Sequence, residues 1–285
     1  MNQPLVSVVV ISYNHEIYIK EMLDSLKNQT YSNWELIVAD DASKDSSVEV
    51  FKTWLHENGF NAKEIYHEVN TGLATVLNQA LSLCQGKYVK LIAADDFLHP
   101  SYLEECIQTM QREKTKIVFT QAFSVDNKSN VLSENFFSIP ENPTKDIKTK
   151  LACGNYISGA TLCYDMDIIK IIGNYKIDLL LEDYDFILRA VNNNCEISFI
   201  NKNLVFYRQH DSNISKTKLL ALEVETELLK YTYFNDREFA NVINKSTSLK
   251  TKRYGRDFVK LIFMKYLNYQ FKSKKVILKM IINYF

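Results

Sequence analysis

The stretch KYVKLIAADDFLHP, residues 87–100, decides the fold of this chain. Residues 88–94 form an apolar, β-prone run that only Lys90 interrupts, which predicts a buried strand. The run ends in two adjacent carboxylates, Asp95 and Asp96, and Pro100 then suits the start of a helix. Close carboxylates repel each other unless a cation or hydrogen-bond donors lie between them. Because ligands bind at the carboxyl ends of strands in an open α/β sheet, the stretch predicts a divalent metal and a phosphate at this tip.

Predicted strands and helices alternate on both sides of this stretch. The apolar runs predict strands at residues 5–12, 34–39, 64–67 and 116–125, and helices at residues 17–26, 46–56, 73–83 and 101–112. This alternation predicts an α/β fold with a mostly parallel sheet, right-handed crossovers and helices on both faces. Asp40 and Asp41 end the second strand, so we expect both acidic pairs at the same edge of the sheet.

The pattern changes after residue 126, where a polar, turn-rich segment begins. We expect a strand at 157–164, a short helix at 166–171 and a helix that follows the acidic pair at 182–183. Residues 196–200 and 204–207 are typical of two paired strands, and the chain is helical in pattern from residue 216 onward. The sequence therefore predicts an α/β body at residues 1–215 and a helical extension at residues 216–285.

Composition indicates a globular protein with an uneven charge. The chain has 285 residues, is 46% hydrophobic and 24% charged, and has a formal net charge of zero. Residues 250–285 alone have a net charge of +9, and aromatic and aliphatic residues alternate with the basic ones. This tail is typical of an interfacial amphipathic helix on an anionic membrane, while a helix docked on the body with a solvated basic face is an equal alternative. No nucleic-acid motif is present.

Other classes of protein have no support in the sequence. The five cysteines have no metal-binding spacing and fit reduced thiols, and no apolar run reaches transmembrane length. The chain enters a predicted strand almost at once, so we expect no signal peptide and a cytoplasmic protein, at most at the inner face of the membrane. There is no P-loop, HExxH or GxSxG motif, so a P-loop NTPase, a zinc protease and a serine hydrolase have no support in the sequence.

Six segments together resemble the family-2 glycosyltransferases, which are inverting enzymes with the GT-A fold. In chain order they are VVVISYN (8–14), QTYSNWELIVADDAS (29–43), NTGLATVLNQAL (70–81), GKYVKLIAADD (86–96), LEDYDFILRA (181–190) and YRQHDSNIS (207–215). The resemblance covers about three quarters of the chain. It implies a Rossmann-like sheet and transfer of a hexose or N-acetylhexosamine from a nucleotide diphosphate sugar, most simply a UDP-sugar. The acceptor is then a hydroxyl of a saccharide or lipid-linked saccharide in cell-surface polysaccharide synthesis.

The resemblance assigns the nucleotide to the edge near the second strand. The matching residues are Ser12, Tyr13, Asn14, Asp40, Asp41, Asn70, Gly72 and Asn78. A carboxylate there accepts hydrogen bonds from uracil and ribose. The alternative is that Asp41, Ser43 and Asp45 cap a helix and that Gly72 serves a tight turn.

The metal and catalytic residues follow from the same resemblance. Asp96 and His210 match ligands for Mn²⁺ or Mg²⁺, with Asp95 on the metal or the ribose, although Ala93 stands where the strict Asp-x-Asp motif has its first acid. Arg208 is expected to offset the diphosphate charge.

Asp183 matches the catalytic base, and Glu182 is expected to orient the acceptor or the sugar. The alternative for this pair is an exposed helix N-terminus, where acids are favoured. The other histidines, His15, His56, His67 and His99, are interpreted as surface residues.

Two other functions remain open from the sequence. A sugar-phosphate nucleotidyltransferase uses a related sheet, but it usually has a glycine-rich phosphate loop where this chain reads ISYNHEIY. A non-catalytic nucleotide-sugar-binding protein of the same fold should have lost several of the acids that are present here.

Overall fold

A computed structural model describes residues 3–234 and 237–268 of the chain, without the side chains of residues 237–244, 263 and 265–268. The strands are β1 (Val6–Ser12), β2 (Trp34–Asp40), β3 (Ala62–Tyr66), β4 (Tyr88–Ala93), β5 (Phe97–Leu98), β6 (Ile117–Val125), β7 (Val131–Ser133), β8 (Cys163–Asp165) and β9 (Ile197–Arg208). The helices are α1 (Ile19–Lys27), α2 (Ser47–Asn58), α3 (Leu73–Leu83), α4 (Tyr102–Glu113), α5 (Ile147–Cys153), α6 (Ile168–Ile172), α7 (Glu182–Asn192), α8 (Ile214–Thr217), α9 (Leu219–Tyr233) and α10 (Arg237–Asn268).

The strands form one mixed sheet in the order β3-β2-β1-β4-β8-β6-β9-β5, with β7 paired to β6. The four strands from β3 to β4 are parallel, as the alternating pattern predicts. β8 runs antiparallel to both neighbours, whereas β6 and β9 are parallel to each other. The predicted α/β fold is confirmed.

Strand β1 shows why the sheet is covered on both faces. Each of its seven residues is buried. Val9 and Ile11 belong to one hydrophobic core, whereas Val6, Val8 and Val10 belong to the core on the opposite face. Alternate side chains of a strand point to opposite faces, so a continuous β-branched run has to be packed by helices on both sides.

The strand predicted at residues 157–164 is wrong. Those residues form a 3₁₀ turn at Gly159–Thr161, and β8 begins only at Cys163. The buried ammonium of Lys90 donates hydrogen bonds to the carbonyl oxygens of Ala160 and Leu162. The Lys90 side chain therefore satisfies carbonyl groups that would pair with a neighbouring strand if this segment were itself a strand. Burial also lowers the pKa of Lys90, to about 8.

The prediction of two paired strands at 196–200 and 204–207 is also wrong. One strand, β9, covers both segments and runs parallel to β6. The register shifts on β6 between Thr120 and Ala122, opposite the polar residues 201–203 of β9. A bulge accommodates extra residues within a strand, so the polar residues do not form the turn of a hairpin.

The C-terminal helices pack on the body. Leu229 and Phe234, from α9 and its end, join the larger hydrophobic core. Val224 and Leu228 of α9 contact Phe258 and Ile262 of α10, which has non-helical backbone angles at Gly255. The predicted boundary between residues 215 and 216 stays a prediction. Within the described ranges, no helix is both long enough and apolar enough to span a membrane.

Candidate active site

The parallel register brings three strand tips to one edge. Ser12 of β1 pairs with Asp40 of β2, and Ile11 pairs with Ala93 of β4. The backbone N–H of Asp41 donates to the Ser12 carbonyl, which continues this alignment beyond the strands. The acidic pairs at 40–41 and 95–96 therefore flank the β1 tip, as expected for carboxyl ends in a parallel sheet.

The predicted nucleotide turn packs against the loop that follows β2. Asp40 accepts hydrogen bonds from the backbone N–H and the hydroxyl of Ser43, at 2.8 and 2.6 Å. Asn14, with a left-handed backbone, donates its N–H to Ser43 Oγ and accepts the Lys44 N–H. Tyr13, which directly precedes Asn14, is 44% exposed. The two loops therefore form one unit that leaves an aromatic ring accessible beside the acidic edge.

Asp41 is fully engaged by the segment before α3. Its carboxylate accepts the N–H groups of Thr71 and Gly72, both at 2.8 Å, and the Thr71 hydroxyl at 3.0 Å. The His67 ring nitrogen Nδ1 lies 2.8 Å from Asp41 Oδ1. Burial works to raise the pKa of Asp41, but these donors outweigh it and hold the pKa below its usual value. Asn70 donates to the Asp41 carbonyl.

Asn78 and Gly72 have structural contacts. The Asn78 amide donates to the Tyr175 carbonyl at 2.8 Å and accepts the Tyr175 N–H at 2.9 Å, which fixes α3 to the segment before α7. Gly72 has φ +86°, a conformation that glycine adopts without strain. The alternative reading of Gly72 as a turn residue fits this backbone. Asp45, just before the cap position of α2, accepts the Ser47 N–H.

Asp95 lies in a cluster with two histidines. His210 Nε2 is 2.9 Å from Asp95 Oδ2, and His15 Nε2 is 3.7 Å from the same oxygen. One potential ligand atom from each of the three residues lies within 4.8 Å of the others. Two buried atoms here, Asp95 Oδ1 and His15 Nδ1, have no hydrogen-bond partner. Burial lowers the pKa of His15 despite the nearby charge of Asp95, which favours the neutral ring that a metal requires.

Asp96 has the opposite electrostatic environment to Asp41. Its carboxylate accepts the backbone N–H of Arg208 at 2.9 Å. Burial and then the neighbouring charge of Asp95 raise its pKa well above the usual value. A buried pair of like charges is costly unless positive charge is added, so the β4 tip is suited to a divalent cation.

Arg208 is brought to the site, but its guanidinium points into the protein. Nε donates to the Asp95 carbonyl, and Nη1 donates to the Asp126 carbonyl. Nη2 pairs with Glu21, and the group stacks 4.5 Å from the Tyr18 ring. The side chain is 1% exposed. Each guanidinium nitrogen therefore donates a hydrogen bond within the protein. Arg208 supports the β4 tip from the protein interior.

The third acidic pair, Glu182 and Asp183, opens helix α7. Asp183 accepts the Gly159 N–H at 2.8 Å and the Tyr184 N–H at 2.6 Å. A Cβ atom on residue 159 would lie 3.0 Å from the Asp183 Cβ, so glycine allows this close approach. Burial is the largest cause that raises the pKa of both acids, and for Glu182 the charge of Asp183 adds to it. The 3₁₀ turn thus fixes the orientation of Asp183.

Hydrogen bonds and close contacts connect the acidic groups to one another. The His15 N–H donates to Ser47 Oγ at the start of α2, and the His15 ring lies 3.7 Å from Asp95. Asp183 accepts the Gly159 N–H, and Lys90 of β4 donates to the carbonyl of the next residue, Ala160. The acidic pairs at 40–41 and 95–96 therefore lie at one edge of the sheet, and the turn that holds Asp183 contacts β4.

Comparison with known proteins identifies the family. Residues 7–170, more than half of the chain, match the family model described as glycosyl transferase family 2. The chain is a family-2 glycosyltransferase.

This glycosyltransferase is similar to proteins from distant organisms. It is 28% identical over 249 residues to an uncharacterized glycosyltransferase of Methanocaldococcus jannaschii, covering 85% of this chain and 83% of that protein. It is 31% identical over 144 residues to a putative teichuronic acid biosynthesis glycosyltransferase, TuaG, of Bacillus subtilis, covering 50% of this chain and 56% of that protein.

Solved structures support the GT-A fold of the glycosyltransferase. S. aureus TarS 1–349 in complex with UDP-GlcNAc superimposes with a TM-score of 0.65 at 20% identity, covering 90% of this chain and 81% of that chain. The mannosyltransferase PcManGT of Pyrobaculum calidifontis, in complex with GDP-Man and Mn²⁺, gives 0.63 at 12% identity, covering 94% and 82%. The predicted family and fold are both confirmed, and the sugar-phosphate nucleotidyltransferase alternative has no further support.

The sequence interpretation missed two histidines of the glycosyltransferase. His15 was expected at the surface but lies beside Asp95 and stacks edge-on to His210, with ring centroids 6.2 Å apart. His67 was also expected at the surface but contacts Asp41 and Gln79. Their position in the sequence was the available signal, because His15 follows the end of β1 and His67 follows the end of β3 by at most a few residues.

Proposed function

We propose that this glycosyltransferase transfers a sugar from a UDP-sugar to a hydroxyl of a saccharide or lipid-linked saccharide, with inversion and with dependence on a divalent metal. The observation that carries the proposal is the position of the acids around the strand tips. The parallel register places Asp40 and Asp95 on either side of the β1 tip, and His15 and His210 approach Asp95. The turn that accepts hydrogen bonds from Lys90 of β4 also holds Asp183. A donor molecule at this edge would lie beside a nucleotide loop, a metal cluster and a candidate base.

The residues at the β4 tip fit Mn²⁺ or Mg²⁺. Asp95, Asp96 and His210 are the proposed ligands. Asp95 and His210 form one cluster with His15, which we add to the set, whereas Asp96 lies outside this cluster. Asp95 Oδ1 and His15 Nδ1, which have no hydrogen-bond partner, are available to coordinate the ion. Carboxylates with imidazole suit Mn²⁺, while an oxygen-rich set suits Mg²⁺. When bound, the ion would neutralise the charge of the departing diphosphate.

Asp183 is the proposed catalytic base. In the transfer, the acceptor oxygen forms a bond to the anomeric carbon while the bond from that carbon to the nucleotide diphosphate breaks. The diphosphate leaves with the bonding electron pair, and Asp183 takes the acceptor proton. Burial raises the pKa of Asp183, and the N–H groups of Gly159 and Tyr184 fix its direction. Glu182 beside it is proposed to orient the acceptor or the sugar.

The nucleotide is proposed to bind at the β1 and β2 tips. Tyr13 has an accessible ring for the base, and Asp40 lies at the bottom of the adjacent loop with Ser12 and Asn14. Asp41, Asn70, Gly72 and Asn78 are proposed to act by shaping the loops around the nucleotide, because their polar groups contact one another or the backbone. Arg208 is proposed to offset negative charge beneath the metal site.

Polysaccharide synthesis is the proposed role, supported by the similarity to the protein named for teichuronic acid biosynthesis. Membrane contact through the basic tail is part of this proposal, because a lipid-linked acceptor lies at a membrane surface. Lys252, Arg253 and Lys260 are charged residues of the described part of the tail. Residues 269–285, which contain further basic residues, lie outside the described residues. The tail would bind anionic lipid through its charge.

The test is a donor panel with the purified protein. UDP-Glc, UDP-GlcNAc and GDP-Man are each measured with Mn²⁺, Mg²⁺ or EDTA for equilibrium binding and for slow hydrolysis of the donor. We expect tight binding of one UDP-sugar only when a divalent metal is present. Asp183→Asn should retain this binding and lose transfer by about 10²- to 10⁴-fold.

Two outcomes would contradict the proposal. Metal-independent binding of the donor would remove the metal assignment. Normal transfer by Asp183→Asn would remove the base assignment while leaving the donor specificity intact, so the two parts of the proposal fail separately.

A further inference from the structure

Helix α7 begins with the catalytic acids, yet its N-cap residue, Leu181, makes no side-chain capping bond. The N–H groups before the helix are instead satisfied from the C-terminal extension. Glu225 of α9 accepts the Leu180 N–H and the Leu181 N–H on one oxygen, both at 2.6 Å. Glu225 is 1% exposed. A buried carboxylate therefore holds the two residues that directly precede Glu182.

A second contact from α9 lies about two helical turns further along. The Tyr233 hydroxyl donates to Asp185 Oδ1 at 2.6 Å. Asp185 also accepts from Lys176 Nζ at 2.8 Å and from Arg189 Nε at 2.7 Å. Glu225 and Tyr233 are eight residues apart, which corresponds to about 12 Å along a helix. Helix α9 thus contacts the first turn of α7 at two separated points.

Attachment of α9 to the body does not by itself explain why residue 225 is a glutamate. An anion is favourable near the positive end of a helix, but here it is the third carboxylate beside Glu182 and Asp183. Its charge contributes to the raised pKa of both residues, after burial and their closer neighbours. Apolar packing by Leu228 and Leu229 already attaches α9 to α10 and to the body. The Glu225 carboxylate therefore adds polar contacts directly before the acidic pair, beyond the apolar packing that attaches α9.

We propose that α9 is part of the catalytic unit, with Glu225 as a positioning residue that holds the Glu182–Asp183 segment in place and Tyr233 as a second anchor. This inference rests on the proposed function, because it assigns α9 to the base of that reaction. It also means that the C-terminal extension is required for transfer and not only for binding a surface.

The experiment compares Glu225→Gln with Glu227→Gln in the full chain. Glu227 is a matched control because it is equally buried on α9, but its carboxylate contacts Ser246, Thr247 and Lys230 instead of α7. Each variant is measured for kcat, for the KM of the donor and for the pH profile of kcat/KM. Circular dichroism checks that both fold.

Glu225→Gln should leave the KM of the donor within about twofold and lower kcat about tenfold or more, because misplacement of a catalytic group mainly affects the chemical step. The acidic limb of its profile should move to lower pH, since one negative charge near the base is removed. Tyr207, Tyr175 and Glu182 also face Asp183, and they are unchanged in the variant. Glu227→Gln should keep the wild-type acidic limb.

A wild-type kcat and pH profile for Glu225→Gln would overturn the inference. Tyr233→Phe gives an independent check, since it removes one hydrogen bond to Asp185 and none to Glu182 or Asp183, and it should lower kcat by a smaller factor at unchanged donor KM. Asp183→Asn separates failure of the base assignment from failure of the role of α9. If Asp183→Asn retains transfer, the base assignment within the proposed function has failed, whereas loss in Asp183→Asn with full activity in Glu225→Gln overturns only the role of α9.

Discussion

The tips of β2 and β4 both end in Asp-Asp, yet the two pairs have opposite environments. At the β2 tip, four donor groups surround the Asp41 carboxylate and hold its pKa low. At the β4 tip, Asp95 retains an unpartnered buried oxygen, and the pKa of Asp96 is raised well above its usual value. The same dipeptide is therefore satisfied by the protein in one place and left in need of positive charge in the other.

The type of residue at a strand tip therefore does not by itself determine the role of that residue. The donors that satisfy Asp41 come from the segment before α3, which the fold brings beside β2. The corresponding neighbours of Asp95 are imidazoles, which bind metals as readily as they donate hydrogen bonds. The two pairs therefore differ in the groups that surround them, and only the pair at the β4 tip is proposed to bind a metal.

The largest expected effect is on metal-dependent donor binding. Asp96→Ala should weaken binding of the UDP-sugar in Mn²⁺ by at least about 100-fold, because the cation loses a carboxylate ligand. Isothermal titration of the donor with and without EDTA measures this. Asp41→Asn is the matched change at the other tip and should retain the metal requirement. Equal loss in both variants would mean that the two tips do not differ in role.

The second prediction concerns stability. Asp41→Asn should lower the free energy of unfolding by about 1–3 kcal/mol, because an amide cannot accept all of the donors around it. Asp96→Asn in EDTA should not lower it, since the mutation removes a buried charge that Asp95 repels. Urea unfolding of both variants tests the contrast, which is refuted if the order is reversed.

This contribution of Asp41 has a defined pH dependence. Because the pKa of Asp41 is lower in the folded state, its stabilising effect is complete above the unfolded-state pKa of about 3.9 and is lost as the pH falls through the folded pKa. Asp41 also helps to raise the pKa of His67, so the comparison is made in a His67→Gln background. There, the difference in unfolding free energy caused by Asp41→Asn should be constant near neutral pH and shrink below about pH 4. A difference that grows on acidification would contradict the assignment.

The smallest expected effect separates the two histidines. His15→Gln should lower the affinity for Mn²⁺ about tenfold, since one nitrogen ligand is replaced by a weaker oxygen. His67→Gln should leave this affinity unchanged, because His67 contacts Asp41 at the other tip. Competition with a fluorescent metal indicator provides the measurement. If His67→Gln has the larger effect on metal, the assignment of the cluster is wrong.

The sequence predicted the parallel half of the sheet and the acidic edge, because long β-branched runs and strand-terminal acids are local signals. It did not predict the 3₁₀ turn at 159–161, which depends on Lys90 and Asp183 from distant parts of the chain. His15 and the inward direction of Arg208 were missed for the same reason. His15 depends on Asp95, and Arg208 depends on Asp95 and Tyr18, which only tertiary packing brings near.

Strand β9 has a consequence for how related chains diverge. Successive residues on a strand face opposite sides, so Tyr207 and Arg208 lie on opposite faces of β9, and the Arg208 guanidinium is buried against the Asp95 carbonyl. A one-residue deletion downstream of the bulge would place a guanidinium on the face that the Tyr207 phenol occupies. The irregular pairing at 201–203 lies upstream and can absorb such length changes. Natural insertions and deletions in β9 should therefore accumulate at the bulge, while each of the last four residues of the strand keeps its side chain on the same face.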